Sequence, residues 1–292
     1  MNASILSMAG RIAFALAIIG FGTLCVVYGD FVSALQPVPA SMPAYRPLAI
    51  ATGALLLGAG LAILVDRGTG RAARLLILLF ISWIVLLHVP SAFFDPSLLR
   101  SPWWIRTFET LAFTGGAVIL AASASRPIPA KWLRAGRVAY GAALPVFGTL
   151  HLIYPASVAG LIPPWYPLPL FWAYFTGIAQ ITGGIAIAAN VLPRLAPSLA
   201  GVMYGSWALT LHIPRSWCRA FGPCEFMPEV AGLQGSRPGL TSLFVAVGMC
   251  GAAWIVAGGT TGGAVERRDS AEDTRVVRLP VTSNVSDVHS RS

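Results

Sequence analysis

Runs of about 20 consecutive, mostly apolar residues constrain this fold most, because a backbone in lipid can satisfy its hydrogen bonds only within itself. Only helices and closed barrels meet that condition. Barrel strands alternate apolar and polar side chains, whereas stretches such as 75–87 are almost continuously apolar. The sequence therefore predicts an all-α membrane protein. Hydrophobic residues make up 56% of the 292 positions and charged residues 11%, against about 25% charged in ordinary soluble domains. That balance excludes a water-soluble globule and, for most of the chain, disorder. Four cysteines are too few for a disulfide scaffold.

Eight transmembrane helices are expected, near 11–28, 48–65, 72–89, 107–124, 137–154, 169–190, 196–213 and 239–258. The polar end of the chain, 263–292, includes Glu266, Arg267, Arg268, Asp269, Glu272, Asp273, Arg275 and Arg278 among serines. It cannot bury a core and is expected to be a disordered, solvated tail, with His289 outside any site. Lys and Arg are retained on the cytoplasmic side. Arg11, Arg67, Arg71, Arg74, Arg126, Lys131, Arg134, Arg137, Arg194 and the tail arginines fall on the face shared by both termini, against Arg46, Arg100, Arg106, Arg215, Arg219 and Arg237 opposite. A multi-pass protein of the cell (inner) membrane with both termini cytoplasmic is expected. This bias accounts for most of the net charge of +9 without a nucleic-acid partner.

The chain also matches itself. Ser82-Trp83 through His88-Val89-Pro90 aligns with Ser206-Trp207 through His212-Ile213-Pro214 at an offset of 124 residues, as do Pro39 with Pro163, Thr52-Gly53 with Thr176-Gly177, and Gly60 with Gly184. Upstream, Phe21-Gly22-Thr23-Leu24 aligns with Phe147-Gly148-Thr149-Leu150 at an offset of 126. Four spans per copy is an even number, so the expectation is two parallel four-helix repeats, 1–125 and 126–262, related by an axis along the membrane normal.

The segment Gly148-Thr149-Leu150-His151, Ile162-Pro163, Trp165, Pro167, the helix from Thr176-Gly177 to Gly183-Gly184, and Leu211-His212-Ile213-Pro214 resembles the DoxX/DoxD-like four-helix membrane module. The first half resembles a more divergent copy. Some members of that family are implicated in quinone-linked sulfur oxidation, including thiosulfate:quinone oxidoreductase subunits. The resemblance implies a membrane redox subunit.

In the predicted topology His88, His151 and His212 share the non-cytoplasmic level of the bilayer, and Cys25 takes the position of His151 in the first half. Imidazoles can accept protons, hydrogen-bond a quinone carbonyl or ligate haem iron. They can equally end helices at headgroup level with no ligand. The three histidines are the candidate catalytic groups. A site shared by His88 and His212 would make their substitutions non-additive. Cys25, Trp83, Trp207, Gln180 and Glu109 are candidate ligand contacts. Glu109 is also placed to pair with Arg106 three residues before it, and Gln180 to bond between helices. No HxxxH or CxxC spacing indicates a metal, and no Rossmann or P-loop pattern indicates a nucleotide.

Two external loops are stiffened by Pro37, Pro39 and Pro43 and by Pro155, Pro163, Pro164 and Pro167. They suit a lid over a lipophilic cavity, while Trp103, Trp104, Trp165 and Tyr166 suit an interfacial aromatic belt. Cys218 and Cys224 are a candidate structural disulfide outside the cytoplasm, and Cys25 and Cys250 are expected buried and inert. The leading expectation is a membrane redox subunit that binds a quinone-like lipophile near the outer face and works with a redox partner subunit. Haem is the second cofactor candidate. The competing class is a non-enzymatic lipophile binder, carrier or assembly protein.

Overall fold

The computed structural model describes residues 3–33, 35–90, 105–125, 128–163, 165–216 and 236–259. Their helices are α1 (Ala3–Tyr28), α2 (Tyr45–Leu64), α3 (Thr69–Trp83), α4 (Ile105–Ser123), α5 (Ala130–Ile153), α6 (Pro155–Ala159), α7 (Pro169–Ala189), α8 (Leu195–Trp207) and α9 (Ser236–Gly259). There is no strand among the described residues. A five-residue π-helical turn extends α3 over Ile84–His88 and α8 over Ala208–His212. Each expected apolar segment is covered by one long helix, and the short α6 is an addition to that expectation.

Among the described residues, six helices are long and apolar enough to cross a membrane: α1, α2, α3 with its π turn, α4, α7 and α9. Helices α5 and α8 are more polar; Lys131, Arg134 and Arg137 lie in the first part of α5. Large aliphatic side chains point outward along the rods, with Leu78, Leu86 and Leu209 each about two-thirds exposed (65%, 68% and 66%). In water each such side chain would forgo the stabilisation that burial brings, about 1.5–3 kcal/mol. Lipid removes that penalty, so the outer surface is consistent with contact with a bilayer.

Small residues bring the helices together. Helix α1 packs on α2 and α9, and α5 packs on α7 and α4. A Cβ on Gly22 would lie 2.7 Å from the Gly53 carbonyl oxygen, and one on Gly148 would lie 2.4 Å from that of Gly177. Likewise Gly10 meets the Gly251 carbonyl, and Gly136 meets that of Gly115. Such backbone contacts admit no side chain, which is how helices without a water-driven force between them pack. Between the packed rods Phe14, Phe21, Phe80 and Phe113 are fully buried, with ring centroids 5.6–6.1 Å apart in the pairs that each makes with Phe113. The phenol of buried Tyr140 on α5 donates to the Met249 carbonyl of α9 at 3.1 Å.

The connections also match. Ala44 and Leu168, which precede α2 and α7, both have left-handed backbones (φ 57° and 55°), as do Asp66 and Asn190 after those helices (φ 57° and 61°). Asp and Asn adopt that backbone readily, whereas for Ala44 and Leu168 it costs about 1–2 kcal/mol, so there the helix start, not the residue type, dictates the turn.

Candidate functional site

Thr176 and Gln180 stand four residues apart on α7 and therefore share one face. That face meets the end of α5, where Gly177 lets the helices approach until a Cβ on it would lie 2.8 Å from His151 Cβ. The Thr176 hydroxyl donates to the Trp172 carbonyl at 2.7 Å. It therefore accepts from His151 Nδ1 at 3.0 Å, leaving Nε2 of that ring as an acceptor. Gln180 Nε2 donates to it at 3.3 Å, and Tyr204 on α8 donates its hydroxyl to Gln180 Oε1 at 2.9 Å. Four side chains on three helices thus form one directional chain, in which His151 is the neutral Nδ1–H tautomer. Trp207 stacks on the ring at 5.8 Å between centroids and 18° between planes. Gln180 makes the interhelical bonds expected of it.

The chain of hydrogen bonds borders two cavities. One is a polar chamber of about 550 Å³, lined among others by Gln36, Arg106, Glu109 and Thr241. The other is an apolar groove of about 820 Å³ between α7 and α8, where Ala179, Gly183 and Ala186 face Ala196 and Ala200 and leave the space open. His151, Trp207 and His212 line both. The two spaces therefore meet at these three rings.

His212 is brought there by the π turn, since the extra residue in the turn rotates the residues beyond it by about 100° around the helix axis. The ring is half-buried and, within the described residues, neither nitrogen has a hydrogen-bond partner; Nδ1 is fully enclosed. His88 ends the matching π turn in a different state. It is 1% exposed, its Nε2 donates to the Leu35 carbonyl at 3.0 Å, and it lines neither cavity.

The two turns differ at one carbonyl. Leu35 and Leu161 end equivalent turns, with Leu35 N bonded to Val32 O at 2.9 Å and Leu161 N to Val158 O at 3.0 Å. In the second turn, however, Arg215 Nη2 donates to the Leu161 carbonyl at 2.7 Å. His212 makes no such bond within the described residues and faces the cavities. Sequence reasoning missed both Leu35 and Arg215; the leucines carried a signal in the repeated Val-x-x-Leu spacing.

The remaining candidates divide. Glu109 lines the chamber and makes no hydrogen bond or ion pair within the described residues. The pair expected with Arg106 is not made: Arg106 Nη1 donates instead to the Ser33 carbonyl at 3.1 Å, an acceptor brought in by the loop after α1. Arg11 pairs with Asp66 at 3.0 Å. Cys25 and Trp83 are packed into the core and line neither cavity. Cys25 and Cys250 are buried free thiols. Gln36, absent from the sequence-level candidates, is 1% exposed with both amide atoms unpartnered, and it lines the chamber. Tyr166 lines the groove, whereas Trp165 is exposed. Trp103, Trp104, Cys218, Cys224 and the tail lie outside the described residues. Among the described residues, no group of three or more His, Cys, Asp or Glu could hold a metal ion.

Fold and site together define a class: an all-helical protein with membrane-capable helices and a buried polar chain between a polar chamber and an apolar groove. No family model, curated protein or solved structure matches the chain.

Proposed function

We propose that the chain is an eight-span protein of the cell membrane, built from two parallel DoxX-like four-helix repeats, whose second repeat binds a quinone-like lipophile near the outer face. The matched glycine contacts, the paired π turns and the left-handed turns spaced 124 positions apart support the duplication. The positive-inside bias supports cytoplasmic termini. One observation carries the ligand: His212, an imidazole with no hydrogen-bond partner among the described residues, sits where the polar and apolar spaces meet. An unpaired polar group at membrane depth is costly, and a compact polar head with a long apolar tail would satisfy the ring and fill both spaces. In this reading His212 hydrogen-bonds the head, Trp207 packs against its ring, and His151 holds Trp207 in place by stacking. Electrons for a redox reaction would pass to or from a partner subunit.

A second reading, a non-enzymatic binder or carrier, is favoured by the saturation of His151, whose two nitrogens are already engaged by Thr176 and Gln180. Purification from a native membrane followed by extraction and mass spectrometry tests both readings. A co-purifying quinone that is lost from His212→Ala supports binding, and turnover of an added quinone analogue supports the redox reading. Retention of the same lipid complement by His212→Ala would falsify the site.

A further inference from the structure

The chamber contains an unsatisfied set of groups that a quinone carbonyl alone does not match. Glu109 on α4 has no hydrogen bond or ion pair within the described residues. Gln36, in the loop after α1, is 1% exposed with neither amide atom partnered. His212, at the end of α8, has an enclosed Nδ1 without a partner and no hydrogen bond within the described residues. All three line one space. A carboxylate offers acceptors only, and a neutral imidazole and a carboxamide each offer one kind of acceptor atom as well as a donor. The shared requirement is a head group that donates hydrogen bonds.

Leaving such groups unpaired costs about 1–3 kcal/mol each, so the set is better explained by a ligand than by packing. Gln36 and Glu109 both belong to the first half, and His212 belongs to the second. The site therefore draws on both halves, although the groove lies in one.

Resting on the proposed lipophile site, we propose that the chamber receives the reduced, dihydroxy form of the head group, with one hydroxyl donating to Glu109 and another contacting His212, while the tail lies in the apolar groove. The oxidised form offers carbonyl acceptors alone and binds more weakly. Gln36 closes the remaining side as a donor to a ring oxygen.

The test is a cycle between protein and ligand. A decyl-hydroquinone and its dimethyl ether are titrated against purified full-length protein, Glu109→Leu and Glu109→Gln, under anaerobic conditions, with thermal unfolding as the check on folding. For the unaltered protein the hydroquinone is expected to bind about tenfold more tightly than the ether, the equivalent of about one hydrogen bond. Glu109→Leu is expected to remove most of that preference. Glu109→Gln, which keeps one acceptor without charge, should fall between the two. Binding that needs His212 but shows no preference for the hydroquinone, or a preference untouched in both Glu109 variants, overturns this proposal and leaves the lipophile site standing. Absence of binding to either probe overturns both. If Glu109→Leu does not fold, Glu109→Gln alone decides, because an undiminished preference in it also overturns the proposal.

Discussion

The two halves end in the same motif and do opposite things with it. In the first, Leu35 is fully buried, its carbonyl receives the His88 ring, and Cys25 packs where a Cβ on Gly53 would lie 2.6 Å away. In the second, the corresponding position against Gly177 is held by His151. The Leu161 carbonyl is taken by Arg215, and His212 faces open space. The same motif thus yields one histidine closed off against a carbonyl and one that faces open space. The donor at the carbonyl differs accordingly: an imidazole at Leu35 and a guanidinium at Leu161.

Overpacking the shared scaffold should have the largest effect and should not distinguish the halves. Gly148→Val and Gly22→Val are each expected to destabilise the folded protein by about 3 kcal/mol, near the upper end of typical overpacking costs, seen as loss of folded protein in equilibrium unfolding in mixed micelles. A large difference between them would show that the halves do not share a packing scheme. Next in size, His88→Ala should cost about 2 kcal/mol of stability by orphaning the buried Leu35 carbonyl, with ligand affinity retained. His212→Ala should do the reverse, leaving unfolding unchanged while affinity for a tailed quinone analogue falls about tenfold, the equivalent of a modest lost hydrogen bond. Equal effects of the two on both measurements would break the comparison.

The comparison can be sharpened at Arg215. Arg215→Met should release the Leu161 carbonyl to His212 and so convert the open half toward the sealed one, measured as a several-fold loss of ligand affinity with the His212 ring newly hydrogen-bonded by NMR. Tyr204→Phe removes one member of the side-chain chain and should cost about 1 kcal/mol. Smallest of all, Gly183→Ala adds a Cβ where nothing lies within 4 Å. It should stabilise by up to about 1 kcal/mol through helix propensity, while narrowing the groove that Gly183 lines.

Some of the site is legible in the sequence alone. His151 and His212 stand out because polar groups at membrane depth are costly, and the offset that places Cys25 opposite His151 holds in their matching contacts with Gly53 and Gly177. Gln180 is legible for the same reason. The shared motif groups His88 with His212, yet it contains neither Leu35 nor Arg215, the residues that set the two rings apart. The Glu109 pairing with Arg106 fails because spacing along a helix cannot register an acceptor such as the Ser33 carbonyl, which arrives from 73 positions away in sequence.

The residues by themselves determined the set of helices and their apolar surface, together with the repeated pattern of glycines and histidines. Lipid forces each span to satisfy its own backbone, so those features are local and can be read along the chain. Tertiary structure decided which helix-end histidine is closed off and which faces the cavities. That depends on which donor reaches each carbonyl first, and on small side chains that fill an interface in one place and leave a groove in another. Both are contests between distant segments, settled only once the helices have packed.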